Sequence, residues 1–345
     1  MRRSTTLPPR TPPLALLSAL LLLGAMPALP ASAAAAPAFC ATEDPWLLEA
    51  PAPSVLDVAD CGNSSTNPLP IYDPGPVYTV PVVVHVIQDS GCVQGAISDA
   101  QVASQIAVLN EDFGAVAGTP GSGGVDSGIR FALASVDPNG QPTTGITRHC
   151  NTTWFNDQTA VSPYYEAIAW DPVRYLNIYT NTAANARGYV PFPPAQNPAG
   201  VGTRVDRVVI NWQAFGRPGP VPDHAGGRTA THELGHYFGL FHVYFGGCGD
   251  SAAPACYSTG DTICDTAPVA TSHQGCPAGQ TSCGGFTMPA ENYMELTDDS
   301  CMTGFTREQT RRMRCTLLGY RPSLASLFAD GFESGDGSRW STAFP

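Results

Sequence analysis

The stretch His232-Glu233-Leu234-Gly235-His236-Tyr237-Phe238-Gly239-Leu240-Phe241-His242 carries the strongest functional signal of this chain. Side chains four residues apart lie on one face of a helix, so His232 and His236 can bind one metal ion together. Glu233, directly after the first histidine, can accept a proton from a water that the metal activates. The pattern therefore predicts a helix that carries two zinc ligands and a general base.

The same stretch indicates where that helix ends and where a third ligand lies. Gly239 can adopt the left-handed backbone conformation that closes many helices, and the chain can then fold back under the metal. His242 follows at the distance needed for a third ligand. Three of the seven histidines fall within these eleven residues. The alternative is an amphipathic helix with surface histidines; we predict a zinc site of His232, His236 and His242.

A second signal lies downstream, in Glu291-Asn292-Tyr293-Met294-Glu295-Leu296. Alone, Met294 would be interpreted as an ordinary core residue, because methionine fills irregular gaps. A methionine-containing turn that follows an extended zinc motif is instead typical of the metzincin clan. We therefore predict that Met294 lies under the metal site.

Composition and charge narrow the class of protein. The 345 residues carry 17 basic and 29 acidic side chains, which gives a net charge of −12, and every basic residue is arginine. A basic stripe is absent from the sequence, so we expect no nucleic-acid partner. Residues 76–320 are long enough for one catalytic domain with one hydrophobic core, which we expect to be monomeric.

The first 33 residues have the pattern of a secretory signal peptide. Three arginines precede the apolar stretch 14–25, and Ala31-Ser32-Ala33 forms a cleavage site. The alternative is a membrane anchor, but the apolar stretch is short for a span and two prolines follow it. We predict secretion to the extracellular space, without membrane association after cleavage.

The flanking segments and the cysteines are consistent with an exported protein. Residues 34–75, rich in alanine and proline, are predicted to be a pro-segment or a flexible leader, and residues 321–345 a C-terminal tail. Most of the eleven cysteines should form disulfides in an exported chain. Because their number is odd, at least one cysteine must keep a free thiol or pair with another molecule.

The hydrophobic pattern predicts alternating strands and helices, with a buried strand at 81–87 and an amphipathic helix at about 99–113 that Ser98 caps. His85 in the first strand is interpreted as a satisfied core histidine. Further strands are expected at 129–136, 175–179 and 205–210, a proline-containing edge strand at 187–194, the zinc helix between Gly227 and Gly239, and a short helix at 306–317. This order predicts an α/β layer packed against the zinc helix.

Many ordered motifs extend this pattern from about Pro81 to Met313. They are Pro81-Val-Val-Val-His-Val-Ile, Ile97-Ser-Asp-Ala-Gln, Leu109-Asn-Glu-Asp-Phe, Asp137-Pro-Asn-Gly, Thr144-Gly-Ile-Thr-Arg, Tyr175-Leu-Asn-Ile, Arg228-Thr-Ala-Thr-His-Glu-Leu-Gly-His, Gly260-Asp-Thr-Ile-Cys-Asp-Thr and Asp298-Asp-Ser-Cys-Met. With them, the chain resembles the pappalysin family of metzincin zinc metallopeptidases, specifically its small secreted microbial members.

The resemblance implies a zinc endopeptidase with an α/β (α+β) metzincin-like fold. A twisted mixed sheet and two long helices would lie above the active-site cleft, and an irregular, disulfide-rich subdomain below it. Peptide substrates would add a strand to the sheet edge near Gly188–Phe192. The family's preference for Arg or Lys just after the scissile bond would place Asp298 or Asp299 in an acidic pocket.

The resemblance also implies further metal ligands and a set of disulfides. Calcium would bind near Asp261, Asp265 and Thr266, whose oxygens suit a hard cation; the alternative is that these side chains cap turns. The family pattern implies the disulfides Cys248–Cys283 and Cys276–Cys301, and Cys256 and Cys264 are candidates for a third. Some relatives cap the zinc with a pro-segment thiol, which would be Cys40 here, with Cys61 as the competing candidate.

One position departs from the family pattern. Two residues after the methionine of the turn, Leu296 replaces the usual tyrosine, whose phenol can donate a hydrogen bond to the oxyanion. Loss of one such donor typically costs about 10²–10³ in rate. The alternative to an active peptidase is therefore a catalytically weakened, zinc-stabilised binding protein. Another alternative is a peptidase that uses a distant glutamate, in place of His242, as its third ligand.

Overall fold

The run of valines after Tyr78 forms the central strand of the fold. The structure is a computed structural model that describes residues 39–42, 61, 70–157, 163–252, 255–257 and 259–325. All of these residues belong to one unit, 37–345. The predicted signal peptide and most of the C-terminal tail lie outside the described residues. Within the described ranges, no helix is long and apolar enough to cross a membrane.

Among the described residues, six strands form one mixed sheet. They are β1 (Tyr78–Gln88), β2 (Ile129–Leu133), β3 (Ile146–Cys150), β4 (Leu176–Asn181), β5 (Gly188–Tyr189) and β6 (Val208–Asn211). The first half of β1 pairs with β2, its second half pairs with β3, and the order continues through β4 and β6 to β5. Only β5 runs antiparallel to its neighbour, and it forms the edge next to the zinc motif.

Five α-helices accompany the sheet in the described part of the chain. They are α1 (Asp99–Phe113), α2 (Thr152–Phe155), α3 (Tyr164–Ile168), α4 (Arg228–Tyr237) and α5 (Arg307–Tyr320). The Ser98 hydroxyl accepts a hydrogen bond from the backbone N–H of Gln101 and caps α1. A capping box between Thr306 and Gln309 begins α5, which runs three residues further than the sequence pattern indicates.

Both faces of the sheet are covered, which explains why most residues of β1 are apolar. Val80, Val82, Val84 and Val86 pack in a cluster with residues of α1 and α4. Ile87 packs on the opposite face, in a cluster that includes residues of α2 and α3. His85 is fully buried between these layers and hydrogen-bonds Thr147 at 2.7 Å and Asn177 at 2.9 Å, as expected for a core histidine.

The predicted fold class is confirmed, with one missed strand. The sequence Ile146-Thr-Arg-His-Cys150 is too polar to stand out as a strand, and it forms β3 because its backbone hydrogen-bonds β1. Between α4 and α5 the helical elements of the described chain are short 3-10 turns. The stability of this segment therefore depends on disulfides. Its disulfides are Cys248–Cys283, Cys256–Cys264 and Cys276–Cys301.

Two further disulfides join cysteines whose pairing could not be predicted from the sequence. Cys92 pairs with Cys150 at the end of β3, and Cys61 of the leader pairs with Cys315 in α5. Asp73 strengthens the second connection, because its carboxylate accepts hydrogen bonds from Arg307 and Arg311 of the same helix. At the other terminus, the buried Arg321 pairs with Asp206, so the start of the predicted tail packs on the domain.

Candidate active site

Helix α4 ends where the sequence predicts that the chain must turn. Gly239 has a φ of +93°, in the left-handed region that favours glycine. Its N–H donates to the His236 carbonyl at 2.9 Å, and the Leu240 N–H donates to the Gly235 carbonyl at 3.0 Å. A Cβ at Gly239 would lie 2.5 Å from the Thr316 hydroxyl oxygen. The tight turn brings His242 back towards the two histidines of the helix.

The three predicted ligand histidines converge on one point. Their Nε2 atoms lie 3.1 to 3.2 Å apart. The Nδ1 atom of His232 lies 2.6 Å from the Tyr293 carbonyl oxygen, and that of His236 lies 2.8 Å from the Leu240 carbonyl oxygen. Because a carbonyl can only accept, both rings carry their proton on Nδ1 and present a lone pair at Nε2.

Converging lone pairs repel each other unless a cation lies between them. In a tetrahedral zinc site with Zn–N bonds of about 2.05 Å, nitrogen atoms lie about 3.4 Å apart, close to the separations here. Burial lowers the pKa of His232 and of His236 well below the ordinary value, which keeps both rings neutral. The donor set of three converging imidazole nitrogens therefore fits a zinc ion.

The methionine turn lies directly against the zinc helix. A Cβ at Gly235 would lie 2.3 Å from the Met294 sulfur, so only glycine leaves room for this side chain. The Met294 carbonyl accepts a hydrogen bond from the Val243 N–H at 3.2 Å, next to the third histidine. Tyr293 is fully buried, and its ring packs against Phe305 at 4.8 Å. Leu296 is half-buried against the core.

The Glu233 carboxylate is buried between α4 and the sheet edge. One oxygen accepts a hydrogen bond from the Thr42 hydroxyl at 3.0 Å. A Cβ at Gly188 would lie 2.7 Å from the Glu233 Cγ, so the backbone of β5 packs tightly against this side chain. Burial raises the pKa of Glu233 to about 8, while the hydrogen bonds from Cys40 and Thr42 act in the opposite direction.

Residues 39–42 of the leader occupy the sheet edge beside Glu233. Cys40 forms a parallel bridge with Gly188 of β5. The Ala41 N–H donates to the Gly188 carbonyl at 3.2 Å, and the Arg187 N–H donates to the Phe39 carbonyl at 3.1 Å. This is the edge where the resemblance places a bound peptide.

The Cys40 side chain reaches the three histidines. Its sulfur lies 3.6 Å from the His236 Nε2 atom. One ligand atom from each of the four residues falls within 4.8 Å of the others, the only such cluster in the described part of the chain. Burial, followed by the charge of Glu233, raises the pKa of the Cys40 thiol well above its ordinary value. The competing candidate, Cys61, is in a disulfide with Cys315 instead.

The two acidic pocket candidates have different surroundings. Asp299 is buried and caps α4, because its Oδ2 atom accepts from the Arg228 N–H at 3.1 Å. The Arg228 guanidinium also donates to the Asp299 carbonyl at 2.9 Å. Asp298 is half-buried, and its backbone N–H donates to the Gly275 carbonyl at 3.1 Å.

The side chains of the three predicted calcium ligands form hydrogen bonds with other groups of the protein. The Thr266 hydroxyl donates to Asp261 at 2.7 Å and the Ile263 N–H donates to it at 3.1 Å. Burial raises the pKa of Asp261 to about 7. Asp265 instead accepts from the Thr306 hydroxyl at 2.6 Å and the Glu308 N–H at 2.9 Å, at the start of α5. These contacts correspond to the turn-capping alternative.

Known proteins share this sequence and this geometry. An extracellular metalloprotease of Verticillium alfalfae is 34% identical over 251 residues, which cover 70% of this chain and 76% of that protein. A family model described as Peptidase_M43, pregnancy-associated plasma protein-A, matches residues 161–318. The chain belongs to the pappalysin family. This pappalysin is therefore a metalloendopeptidase of the metzincin clan, as the sequence motifs predict.

Solved structures agree with the fold. Mature mirolysin of Tannerella forsythia in complex with a cleaved peptide is 34% identical to this pappalysin, with a TM-score of 0.58; the match covers 73% of this chain and 97% of that one. A mutant of promirolysin from the same organism is 32% identical, with a TM-score of 0.58 and coverage of 74% and 85%.

Sequence reasoning missed two groups near the site. The Thr42 hydroxyl donates a hydrogen bond to the Glu233 carboxylate. His224, in a short turn before α4, lies 4.8 Å from the Phe39 ring, measured between ring centroids. None of these residues belongs to a local motif, so only the three-dimensional arrangement identifies them.

Proposed function

We propose that this pappalysin is a secreted, zinc-dependent endopeptidase that hydrolyses internal peptide bonds of proteins. The observation that carries the proposal is the convergence of three Nε2 atoms beside a buried carboxylate and a sheet edge. The secretory pattern of residues 1–33 and the extracellular relatives support export.

In the proposed reaction a zinc ion would be held by the Nε2 atoms of three residues, His232, His236 and His242. A bound zinc would polarise the peptide carbonyl and lower the pKa of a water towards neutrality. Glu233 accepts the proton of the attacking water and passes it to the leaving amine. The groups of Arg187 and Gly188 that now pair with Phe39 and Ala41 would bind the substrate backbone.

Removal of the metal tests this proposal. We expect matured protein to lose cleavage of an internally quenched peptide when a zinc chelator is added, and to regain it with equimolar zinc. Without a metal, the three histidines supply no Lewis acid to polarise the substrate carbonyl. Full activity in the chelated protein, with the metal shown by elemental analysis to be absent, would contradict the proposal.

The leader is proposed to be an inhibitory pro-segment, with Cys40 as the latency thiol. Its sulfur lies near the three histidines, Thr42 engages the general base, and the backbone of residues 39–42 covers the binding edge. Thiolate is a good zinc ligand, so it would complete a tetrahedral site. The segment therefore excludes both substrate and attacking water.

The Cys61–Cys315 disulfide constrains how this pro-segment can leave. A cut between residues 42 and 61 separates Cys40 from Cys61, so the inhibitory residues can diffuse away. A cut after Cys61 leaves them tethered to α5, where the high effective concentration favours rebinding. We therefore infer that the maturation cut lies between Thr42 and Cys61.

Replacement of Cys40 by alanine in the uncut chain is expected to raise peptide cleavage at least 10-fold, because the metal loses its fourth protein ligand. The measurement compares full-length wild type with the Cys40→Ala variant, and intact mass confirms that both are uncut. Ser90→Ala, a change at a solvent-exposed residue, serves as the matched control. Equal activity of the two uncut chains would contradict the role of the thiol.

The finer expectations from the resemblance remain proposals. Calcium at Asp261, Asp265 and Thr266 would require these side chains to exchange their present hydrogen bonds for metal contacts. A preference for Arg or Lys after the scissile bond would require a carboxylate of Asp298 or Asp299 that is free to meet the substrate. We also propose a monomer that acts on protein or peptide substrates.

The second candidate function is a catalytically weakened zinc-stabilised binding protein. Leu296 favours it, because an alkyl side chain cannot donate a hydrogen bond to an oxyanion. Tyr293 is an unsuitable replacement, since its ring is buried in the core against Phe305. Zinc content together with turnover distinguishes the two candidates.

A further inference from the structure

Strand β5, the sheet edge that the leader now covers, has little backbone support of its own. It contains only Gly188 and Tyr189, which pair antiparallel with β6. Its outer side supplies the groups that hold the leader, the Arg187 N–H and the Gly188 carbonyl, at 3.1 and 3.2 Å. Strands of globular proteins are usually about 3–10 residues long, so an edge this short needs support from its side chains.

The two residues of β5 face opposite sides of the sheet, as successive residues of a strand do. A Cβ at Gly188 would point towards the Glu233 side chain, on the side of α4. The Tyr189 side chain lies on the other side, where it is fully buried and packs in a cluster with Phe155 of α2 and Tyr164 of α3. Tyr189 therefore supports the binding edge from behind.

The Tyr189 hydroxyl is anchored to a buried carboxylate. It donates a hydrogen bond to the Asp157 Oδ2 atom at 2.8 Å, and the Tyr164 hydroxyl oxygen lies 3.2 Å from its own. Asp157 is only 5% exposed and follows α2, where its N–H donates to the Trp154 carbonyl at 3.1 Å. This hydrogen bond therefore ties the edge strand to the end of a helix on the far side of the sheet.

A buried guanidinium completes the cluster behind β5. Arg207, just before β6, lies 3.9 Å from the Tyr165 ring centroid and 5.7 Å from that of Tyr189. Burial raises the pKa of Asp157, while the hydrogen bond from Tyr189 and the charge of Arg207 act in the opposite direction. Because buried charged groups are costly without partners, these contacts favour one position of the Tyr189 ring.

We propose that Asp157 and Tyr189 are positioning residues whose hydrogen bond fixes the backbone of β5, so that Arg187 and Gly188 can bind a peptide strand. For substrates the inference rests on the proposed peptidase function, and for the leader it rests on the contacts seen here. The edge binds a substrate backbone both before and in the transition state. Loss of the anchor should therefore raise KM and leave kcat almost unchanged.

The first test is the kinetics of peptide cleavage by matured, zinc-loaded protein. We expect Tyr189→Phe to raise KM about fivefold or more, with kcat within about twofold of the wild type. Asp157→Asn should act in the same direction, and the double variant should add little, because both changes break one bond. The matched control is Tyr175→Phe, which removes a phenol that donates to the Val136 carbonyl at 3.0 Å and should keep the wild-type KM.

The second test needs no catalysis, because the uncut leader uses the same edge. Cys40 is the free thiol among the described cysteines, and it is held beside Gly188. In the uncut, zinc-loaded chain, Tyr189→Phe should raise the rate at which a maleimide labels Cys40 at least fivefold, since a displaced edge releases the leader more often. Tyr175→Phe should be labelled at the wild-type rate.

Each outcome supports or overturns the inference. A wild-type KM in folded Tyr189→Phe would overturn it, and so would a lower kcat at the wild-type KM, which indicates only a smaller folded fraction. Labelling of Cys40 at the wild-type rate would also overturn it. If the matured wild type cleaves no substrate, the proposed function fails, and the labelling rates alone decide the inference. Asp157→Asn replaces Tyr189→Phe if the latter does not fold, and failure of both to fold would overturn the positioning role.

Discussion

Replacement of Glu233 by glutamine is expected to lower kcat/KM for peptide cleavage by about 10²–10⁴-fold, the usual contribution of a general base. The amide has the same size as the carboxylate, but it cannot take the proton of the attacking water. Because Glu233 is not a metal ligand in this proposal, the variant should bind zinc as well as the wild type does. The measurement is turnover together with zinc content in the matured protein.

The matched control is Glu166→Gln, which removes an exposed carboxylate 4.0 Å from Arg204. Exposed ion pairs contribute little, so its activity should equal that of the wild type. A Glu233→Gln variant with zinc and more than one tenth of wild-type turnover would contradict the assignment of the base. Loss of turnover together with loss of zinc would show that Glu233 instead supports the metal site.

Replacement of His242 by alanine is expected to abolish cleavage by removing the metal. Changes to groups that only support a ligand weaken metal binding by about 10–100-fold, and removal of one of three ligands should exceed that. The stacked ring of Tyr244, 4.6 Å away between centroids, remains to fill part of the space. Competition with a fluorescent zinc chelator measures the affinity.

His149→Ala is the control for the loss of a histidine, since this residue hydrogen-bonds Thr147 on β3, outside the site. It should bind zinc and cleave peptides as the wild type does. Wild-type zinc affinity in His242→Ala would mean that another group, such as a distant glutamate, is the third ligand. That outcome would favour the alternative peptidase in which a distant glutamate replaces His242 as the third metal ligand.

The elements that the sequence predicts are those with strong local signals. The valine run of β1, the capped helix α1 and the zinc helix α4 each combine a hydrophobic period with a recognisable end, so all three are confirmed. Strand β3 has a weak pattern and depends on its pairing with β1. The Cys61–Cys315 pairing spans 254 residues, and no local pattern could select it.

The active-site residues also divide into those with a local sequence signal and those placed by long-range contacts. The histidines and Glu233 occupy one short motif, and their convergence follows from helix geometry and one glycine turn. Thr42 contacts Glu233 across 191 residues of sequence. Likewise, Asp299 was a pocket candidate on sequence grounds, whereas its position at the start of α4 depends on the tertiary fold. Long-range contacts of this kind leave no local pattern in the sequence that could predict them.

The most direct test of the central claim is to measure zinc content and peptide cleavage on one sample of matured wild-type protein. The account predicts one zinc per chain and cleavage of internal peptide bonds that ceases when the metal is removed. Stoichiometric zinc without cleavage of any peptide or protein substrate would contradict it. That result would instead favour the binding protein and identify Leu296 as the residue to replace by tyrosine.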